Sequence, residues 1–240
     1  MAWLILGLVL FLGAHSTRIF AEGWRTKSIE AWGEKPFKGV YALVSLLGFY
    51  ALIVGYAQVR LEPVVIWHPP IATRHISVLL MLFASILLVA AYIPANHLKV
   101  RLRHPMVLSV KVWALAHVLS NGDLADLILF GAFLAWSVMN FKSARARDRT
   151  QAEQQALVSD TTAQPVLPKT SATLITVGVG VVLWGLITFV LHARVVGVSP
   201  LGGDGRLVTL KRWFFSSPRQ ITHSPTKPPA MPSRLAEARP

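Results

Sequence analysis

The chain has 240 residues, 53% of them apolar and 15% charged, with a mean hydropathy of +0.51 and a formal net charge of +13. Soluble domains usually carry about 25% charged residues, so this chain has too little charge to cover a surface that faces water. It contains no Cys, which excludes disulfide scaffolds, thiolate metal sites and covalent c-type haem attachment. The apolar content excludes a disordered chain. A polytopic membrane protein with basic loops and a nucleic-acid-binding protein remain.

Six apolar runs approach the length of about 20 residues that a helix needs to cross a bilayer. In chain order they are residues 1–20, 39–57, 76–93, 106–120, 124–141 and 174–191, the fourth and fifth being near the lower limit. The first is expected to be a retained helix rather than a signal peptide, because no basic residue precedes it and no small-x-small site follows it. The sequence therefore predicts an all-α integral membrane bundle of about six transmembrane helices.

Two segments lack the composition of a membrane helix. Residues 142–170 are charged at first and then rich in Gln, Thr and Pro, which is typical of a linker. Residues 201–240 contain six Pro and scattered basic residues, a composition that predicts a disordered tail. The chain thus divides into a transmembrane domain, residues 1–200, and a basic Pro-rich tail.

The loops predict the orientation of the bundle. Thirteen Lys and Arg follow the first, third and fifth predicted helices, within 18–38, 99–103 and 142–169, whereas the opposite loops carry only Arg60 and Arg74. Because Lys and Arg are retained in the cytoplasm, we expect the N-terminus outside and 142–170 inside, in a bacterial inner membrane. Topology accounts for these charges, and no basic domain is interleaved with aromatic residues, so a nucleic-acid partner is not expected.

Histidines at membrane depth are the first candidates for a functional site, since an ionisable side chain in a bilayer is costly without a partner. His15 lies about two-thirds of the way along the first predicted helix, and His104 begins the fourth. Both are expected in the cytoplasmic half of the membrane. His117 lies thirteen residues beyond His104, about 20 Å along the helix, and belongs to the opposite half.

Two imidazoles at similar depth on different helices meet the requirement of a bis-histidine haem iron, and the same pair suits a non-haem metal. The alternative for His15 is an imidazole hydrogen bonded to a neighbouring helix. For Arg103-His104-Pro105 it is a helix start with a cytoplasmic anchor. Lys111, inside the fourth predicted helix, either extends toward the cytoplasmic surface or pairs with a carboxylate or a ligand propionate.

The order of motifs along residues 1–200 resembles the NnrU family, integral membrane proteins associated with denitrification gene clusters. The motifs include GAHSTR at 13–18, WHPP at 67–70, RHPM at 103–106, KVWALAH at 111–117, NGDLAD at 121–126 and GVSP at 197–200. No single motif is diagnostic, but their joint order is specific. The tail beyond Leu201 departs from the family pattern.

The family is similar to 15-cis-zeta-carotene isomerase, a membrane haem b protein whose iron is held by histidines. The resemblance therefore implies haem b, with His15 and His104 as iron ligands and His117 as the alternative second ligand. Arg18, Arg103 or Lys111 would neutralise the propionates.

Three functions are compatible with this resemblance. The first is a haem protein linked to nitric oxide and nitrite metabolism. The second is a haem-dependent cis-trans isomerase of a carotenoid-like polyene. The third is a non-enzymatic accessory or assembly factor for a respiratory nitric oxide or nitrite reductase.

Overall fold

The computed structural model describes residues 1–157 and 167–201, which are helical apart from short connections and one isolated β-bridge. The last two helices are continuous through a π-helical segment, Ile187–Leu191. The helices are α1 Ala2–Phe20, α2 Glu22–Trp32, α3 Glu34–Val59, α4 Ile71–Tyr92, α5 His97–Leu102, α6 Pro105–Ser120, α7 Leu124–Leu157, α8 Thr170–Leu186 and α9 His192–Val195.

The prediction of an all-α membrane bundle is confirmed. Among the described residues, five helices are long and apolar enough to cross a membrane, namely α1, α3, α4, α7 and the continuous stretch from α8 to α9. The remaining apolar helix, α6, has only 16 residues, so it reaches about 24 Å at 1.5 Å per residue. It is therefore the shortest element of the predicted six.

Several helix bounds differ from those predicted from hydropathy. Helix α3 begins at Glu34 rather than at Gly39, with Pro36 in its first turn, where proline is tolerated. Helix α7 continues to Leu157, so the first half of the predicted linker is helical. Its Ala, Arg, Gln and Glu residues are strong helix formers, but the charged and amide side chains among them are too polar to lie in a membrane. The predicted tail lies outside the described residues, apart from Leu201.

The long helices are connected by packing in an order that differs from the order of the sequence. Helix α3 packs against α1, α1 against α7, α7 against α6, α6 against α4, and α4 against α8. The bundle thus contains two helix pairs, α1–α3 and α4–α6, joined by α7. Leu4, Leu8, Leu52 and Ala125 form the buried cluster where α7 meets the first pair.

The α1–α3 pair is held by direct contact between backbones. A Cβ atom at Gly48 would lie 2.6 Å from the backbone nitrogen of Phe11, and one at Gly7 would lie 2.5 Å from that of Leu52. Gly55 approaches Leu4 in the same way. The three contacts run in opposite directions along the two helices, so the pair is antiparallel. Small residues that allow close backbone approach are typical of helix interfaces in membranes.

The α4–α6 pair is held by serine hydroxyl groups. Ser77 Oγ donates a hydrogen bond to the carbonyl oxygen of Ala116, and Ser109 Oγ donates to that of Ala84, both at 2.7 Å. These bonds also run in opposite directions along the two helices, so this pair is antiparallel as well. All four residues are buried, and all four are smaller than any branched apolar residue. Hydroxyl donors of this kind join helices where no water competes.

At one end of the bundle, the connection between α3 and α4 packs on the turn before α7. The backbone N–H of Ile66 donates to the carbonyl oxygen of Gly122, and the N–H of Leu124 donates to that of Val64, both at 2.8 Å. Trp67 Nε1 donates to the carbonyl oxygen of Asn121 at 3.2 Å. We call this the capped end. The opposite end, where α1 ends and α6 begins, is called the basic end after Arg18, Arg103 and Arg147.

Candidate functional site

His15 lies on the face of α1 that points into the bundle. It is eleven residues beyond Leu4, which is fully buried, and three turns of helix bring the two residues to the same face. Its Nδ1 lies 2.7 Å from the carbonyl oxygen of Phe11. The carbonyl can only accept, so Nδ1 carries the proton and Nε2 has a free lone pair. Among the described residues Nε2 has no hydrogen-bond partner.

Aromatic rings from three helices surround the His15 imidazole. The Phe11 ring stacks on it at 4.3 Å between centroids, the Tyr41 ring of α3 lies at 5.3 Å, and the Trp136 ring of α7 lies at 6.2 Å. We call His15, Phe11, Tyr41 and Trp136 the His15 pocket. Aromatic rings therefore surround an imidazole whose Nε2 makes no hydrogen bond to any described residue.

Two buried polar side-chain atoms lack a hydrogen-bond partner in the described part of the chain, and both are close to this pocket. They are Trp136 Nε1, a member of the pocket, and Ser45 Oγ, one turn beyond Tyr41 on α3. In the antiparallel α1–α3 pair, Leu4 meets Gly55 and Phe11 meets Gly48, so the register continues to bring His15 level with residues 44–45. Buried polar groups without partners call for a water, an ion or a ligand.

His104 lies at the basic end, on the residue before α6. Its Nε2 is 3.0 Å from Asp148 Oδ2 on α7, and its ring meets Phe141 edge-on at 6.3 Å. Asp148 lies 44 residues from His104 in sequence and belongs to the segment predicted as a linker. The structure thus gives His104 a carboxylate partner that the sequence pattern did not indicate.

The backbone around His104 is unusual. Arg103 has φ +63° and ψ −44°, and the N–H of His104 donates to the carbonyl oxygen of Leu102 at 2.7 Å. This is a γ-turn of the rare form with positive φ. For a residue other than glycine such a conformation costs about 1–3 kcal/mol, and strain of this kind is concentrated at functional sites. Pro105 then begins α6, at the position where its missing N–H costs nothing.

His117 lies in the other half of α6. Its Nδ1 is 2.8 Å from the carbonyl oxygen of Trp113, so its Nε2 carries the free lone pair, as in His15. Phe130 of α7 stacks on its ring at 4.3 Å. His117 is therefore a half-buried imidazole with one available nitrogen, within an aromatic cage of its own.

The structure separates His15 from His117 with aromatic side chains. Phe11, stacked on His15, lies 5.8 Å from Phe133, which lies 5.4 Å from Trp113, the neighbour of His117. These rings occupy the space between the two imidazoles. His104 and His15 make no direct contact, but both lie against α7, at Phe141 and Trp136 respectively. In the described ranges, no three His, Cys, Asp or Glu residues are close enough to form a metal site.

The predicted cationic residues lie at different depths. Arg18 is an exposed side chain 3.9 Å from Glu22, and its carbonyl oxygen accepts from Arg147 Nη1 at 3.4 Å. Arg103 Nη1 lies 3.6 Å from Asp148. Lys111 is half-buried and makes no ion pair with any described residue. Arg18 and Arg103 are therefore both next to residues 142–157, which we call the charged half of α7, whereas Lys111 lies deeper in the bundle.

An apolar groove runs between α1 and α7 beside the His15 pocket. Its volume is about 420 Å³, and Trp136 belongs both to its lining and to the pocket. Gly13 and Ser16 form part of its floor on α1. The groove is open on one side, so in a membrane it would face the lipid chains.

A second polar contact at membrane depth joins α3 to α7 near the capped end. Tyr56 Oη donates a hydrogen bond to Asp126 Oδ1, and Asp126 is buried. The Arg60 guanidinium lies 5.8 Å from the centre of the Tyr56 ring and donates to the carbonyl oxygen of Val196 at 2.8 Å. Asp126 lies in the first turn of α7, and Tyr56 is 70 residues away in sequence, so only the fold brings the two together.

The fold and these sites define a polytopic helical membrane protein with histidines held in aromatic cages. A family model described as NnrU protein matches residues 3–200. The chain therefore belongs to the NnrU family, as its motifs predicted. No curated protein and no solved structure matches it.

Proposed function

We propose that this NnrU family protein binds haem b in the membrane and acts in nitric oxide or nitrite metabolism, with His15 as the first iron ligand. The observation that carries the proposal is the state of His15. One ring nitrogen is held by a backbone carbonyl and the other is free, inside an aromatic pocket. Histidines that bind metals almost always have this arrangement.

The polar atoms without partners support a resident group at this place. Ser45 Oγ and Trp136 Nε1 are buried beside His15 and lack a hydrogen-bond partner among the described residues. A bound group with polar atoms would satisfy them. The residues would therefore fit a haem as far as one iron ligand and its apolar surroundings are concerned.

For the second ligand, His104 remains the first choice and His117 the alternative. His104 is at the same end of α7 as the His15 pocket, and its Nδ1 has no partner among the described residues. The use of His117 would require the rings of Phe11, Phe133 and Trp113 to move apart. Arg18 and Arg103, at the basic end, are the cations within reach of propionates, and Lys111 is the deeper alternative.

Within such a site the chain's own residues have simple roles. His15 would bind iron through Nε2, the carbonyl oxygen of Phe11 would fix the orientation of its ring, and Trp136 with Tyr41 would provide an apolar wall beside the group. A haem iron supplies reversible binding of small diatomic molecules and one-electron chemistry, according to its ligands and pocket. The connection with nitric oxide and nitrite rests on the family.

Absorption spectroscopy tests the proposal. Protein produced with a haem supply is expected to show a Soret band that is lost or shifted in His15→Ala and shifted in His104→Ala. His97→Ala is the matched control, because His97 is another histidine at the basic end and its ring bonds to Thr173 of α8 rather than to α7 in the described part of the chain. A colourless wild-type protein, or an unchanged band in His15→Ala, would refute the role of His15.

The groove beside the pocket supports a second candidate, the haem-dependent isomerisation of a polyene. An elongated apolar substrate could enter the groove of about 420 Å³ from the lipid and lie against Trp136, next to His15. Vesicles containing the protein and a cis-polyene would then yield the trans isomer. A product ratio equal to that of vesicles with His15→Ala would exclude this activity.

A colourless protein that co-purifies with a nitric oxide or nitrite reductase would instead support an accessory role. The bilayer is the one partner that the apolar helices themselves require. The inner membrane and an external N-terminus remain part of the proposal. Attaching a reporter to the N-terminus and to the 158–166 connection would test this orientation.

A further inference from the structure

We infer that Asp148 is a positioning residue for His104. It determines which ring nitrogen of His104 carries the proton, and therefore which nitrogen is free to bind a ligand. Where that ligand is an iron, the inference rests on the proposed function. The contact itself is independent of any bound group.

The first step concerns the carboxylate. Asp148 Oδ2 lies 3.0 Å from His104 Nε2, 3.6 Å from Arg103 Nη1 and 3.9 Å from Arg145 Nη1, with 17% of the Asp148 side chain exposed. Two guanidinium groups thus give Asp148 oppositely charged neighbours. An ionised carboxylate can only accept hydrogen bonds.

The second step concerns the imidazole. Because Asp148 accepts, His104 Nε2 donates, and in the neutral ring the lone pair is then on Nδ1. Nδ1 has no hydrogen-bond partner among the described residues. This is the reverse of His15 and His117, in which a backbone carbonyl holds Nδ1 and Nε2 is free. The hydrogen bond made by one nitrogen decides the role of the other.

The third step concerns the backbone. Arg103 adopts a γ-turn with positive φ before His104, and Pro105 restricts the backbone of His104 from the other side. The same Arg103 extends its guanidinium to Asp148. Backbone and side chain are therefore both fixed at this residue. A plain helix start would need only the proline.

The experiment is nitrogen NMR of protein in lipid nanodiscs, with isotope-labelled histidine rings and without haem. The His104 signals are those that disappear in His104→Gln. At a pH where the ring is neutral, the wild-type signals should report protonation at Nε2. Asp148→Ala should convert them to a mixture of tautomers, whereas Asp148→Asn, whose amide oxygen still accepts, should largely keep the Nε2–H form. Glu153→Ala is the matched control, since it removes another carboxylate from the charged half of α7.

A His104 protonated at Nδ1 in the wild type would overturn the inference without any variant, as would spectra of Asp148→Ala identical to those of the wild type. Haem titration is the second measurement. Loss of a hydrogen-bond partner behind a metal ligand usually lowers affinity about 10–100-fold, and Asp148→Ala is expected to do so while Glu153→Ala does not.

The haem titration and the NMR measurement test different statements. The first tests the proposed function, and the second tests the role of Asp148. A protein that binds no haem but shows the Nε2–H tautomer contradicts the proposed function and leaves the role of Asp148 standing. A protein that binds haem with a His104 tautomer insensitive to Asp148→Ala contradicts the role of Asp148 alone.

Discussion

The two antiparallel helix pairs of the bundle are built by different chemistry. In α1–α3, glycines bring the two backbones into contact, and the side chains around them are apolar. In α4–α6, alanines and serines pack together and hydroxyl groups reach the carbonyl oxygens of the partner helix. The α1–α3 pair depends on glycines, which have no side-chain atoms to keep the backbones apart. The α4–α6 pair depends on serine hydroxyl groups, which donate hydrogen bonds to the partner helix. Substitutions should therefore affect the two pairs very differently.

The largest effect is expected in the glycine pair. Gly48→Val would place side-chain atoms against the Phe11 backbone, which cannot rotate away as a side chain could. Overpacking usually costs 1–3 kcal/mol, and we expect about 3 kcal/mol or more here. Gly13→Val is the control, because a Cβ at Gly13 meets no other residue within 4 Å. The measurement is the fraction of folded protein during titration from mild detergent into SDS.

The next largest loss of stability is expected at the hydrogen bond between Tyr56 of α3 and Asp126 of α7. Tyr56→Phe keeps the ring but removes the hydroxyl donor, which leaves the buried Asp126 carboxyl without it. A buried polar group without its partner costs about 1–3 kcal/mol. The double variant Tyr56→Phe with Asp126→Leu should recover much of the loss, since both polar groups are then gone. A double variant less stable than both single variants would contradict this account.

The smallest effect is expected in the serine pair. Ser77→Ala and Ser109→Ala remove one interhelical hydrogen bond each, and such bonds in membrane helices contribute about 0.6 kcal/mol on average. The cost stays low because the acceptor is not orphaned. The carbonyl oxygen of Ala116 also accepts from Ser120 Oγ at 2.9 Å. If Ser77→Ala in the same SDS titration cost more than Gly48→Val, the contrast between the two pairs would be wrong.

The fold class could be predicted because polar groups are costly in a bilayer. A helix that crosses the membrane must therefore be a long apolar run, and such runs are visible in the sequence. The ends of helices could not, since hydropathy reports where the membrane ends rather than where the helix does. Helix α7 illustrates this, because its charged half is helical by propensity. The partners of the helices were equally hidden. The residues around Ser77 and Ser109 in the sequence do not indicate which carbonyl oxygen each hydroxyl group bonds to.

The end of the bundle at which each candidate histidine lies could be predicted from the sequence, but the hydrogen bonds that fix its ring could not. Position along the predicted helices assigned His15 and His104 to one end of the bundle and His117 to the other, and all three meet α7 at corresponding heights. The tautomers depend on hydrogen bonds made after folding, some local, as from His15 to Phe11, and one across 44 residues, from His104 to Asp148. A local hydrogen bond, such as that from His15 to Phe11, can be predicted from the sequence once the helix is assumed. The hydrogen bond from His104 to Asp148 cannot be predicted from the sequence.

The position of α7 between two pairs that precede it in the chain has a consequence for biosynthesis. Only one short helix, α2 or α5, separates the members of each pair in sequence, so α1 can meet α3, and α4 can meet α6, while later residues are still being synthesised. Helix α7 follows both pairs in the chain and packs between them, bringing the rings that complete both histidine cages. Until it does so, His15 lacks Trp136, His117 lacks Phe130 and His104 lacks Asp148. A nascent chain that stops before α7 therefore carries all three imidazoles and none of their α7 partners.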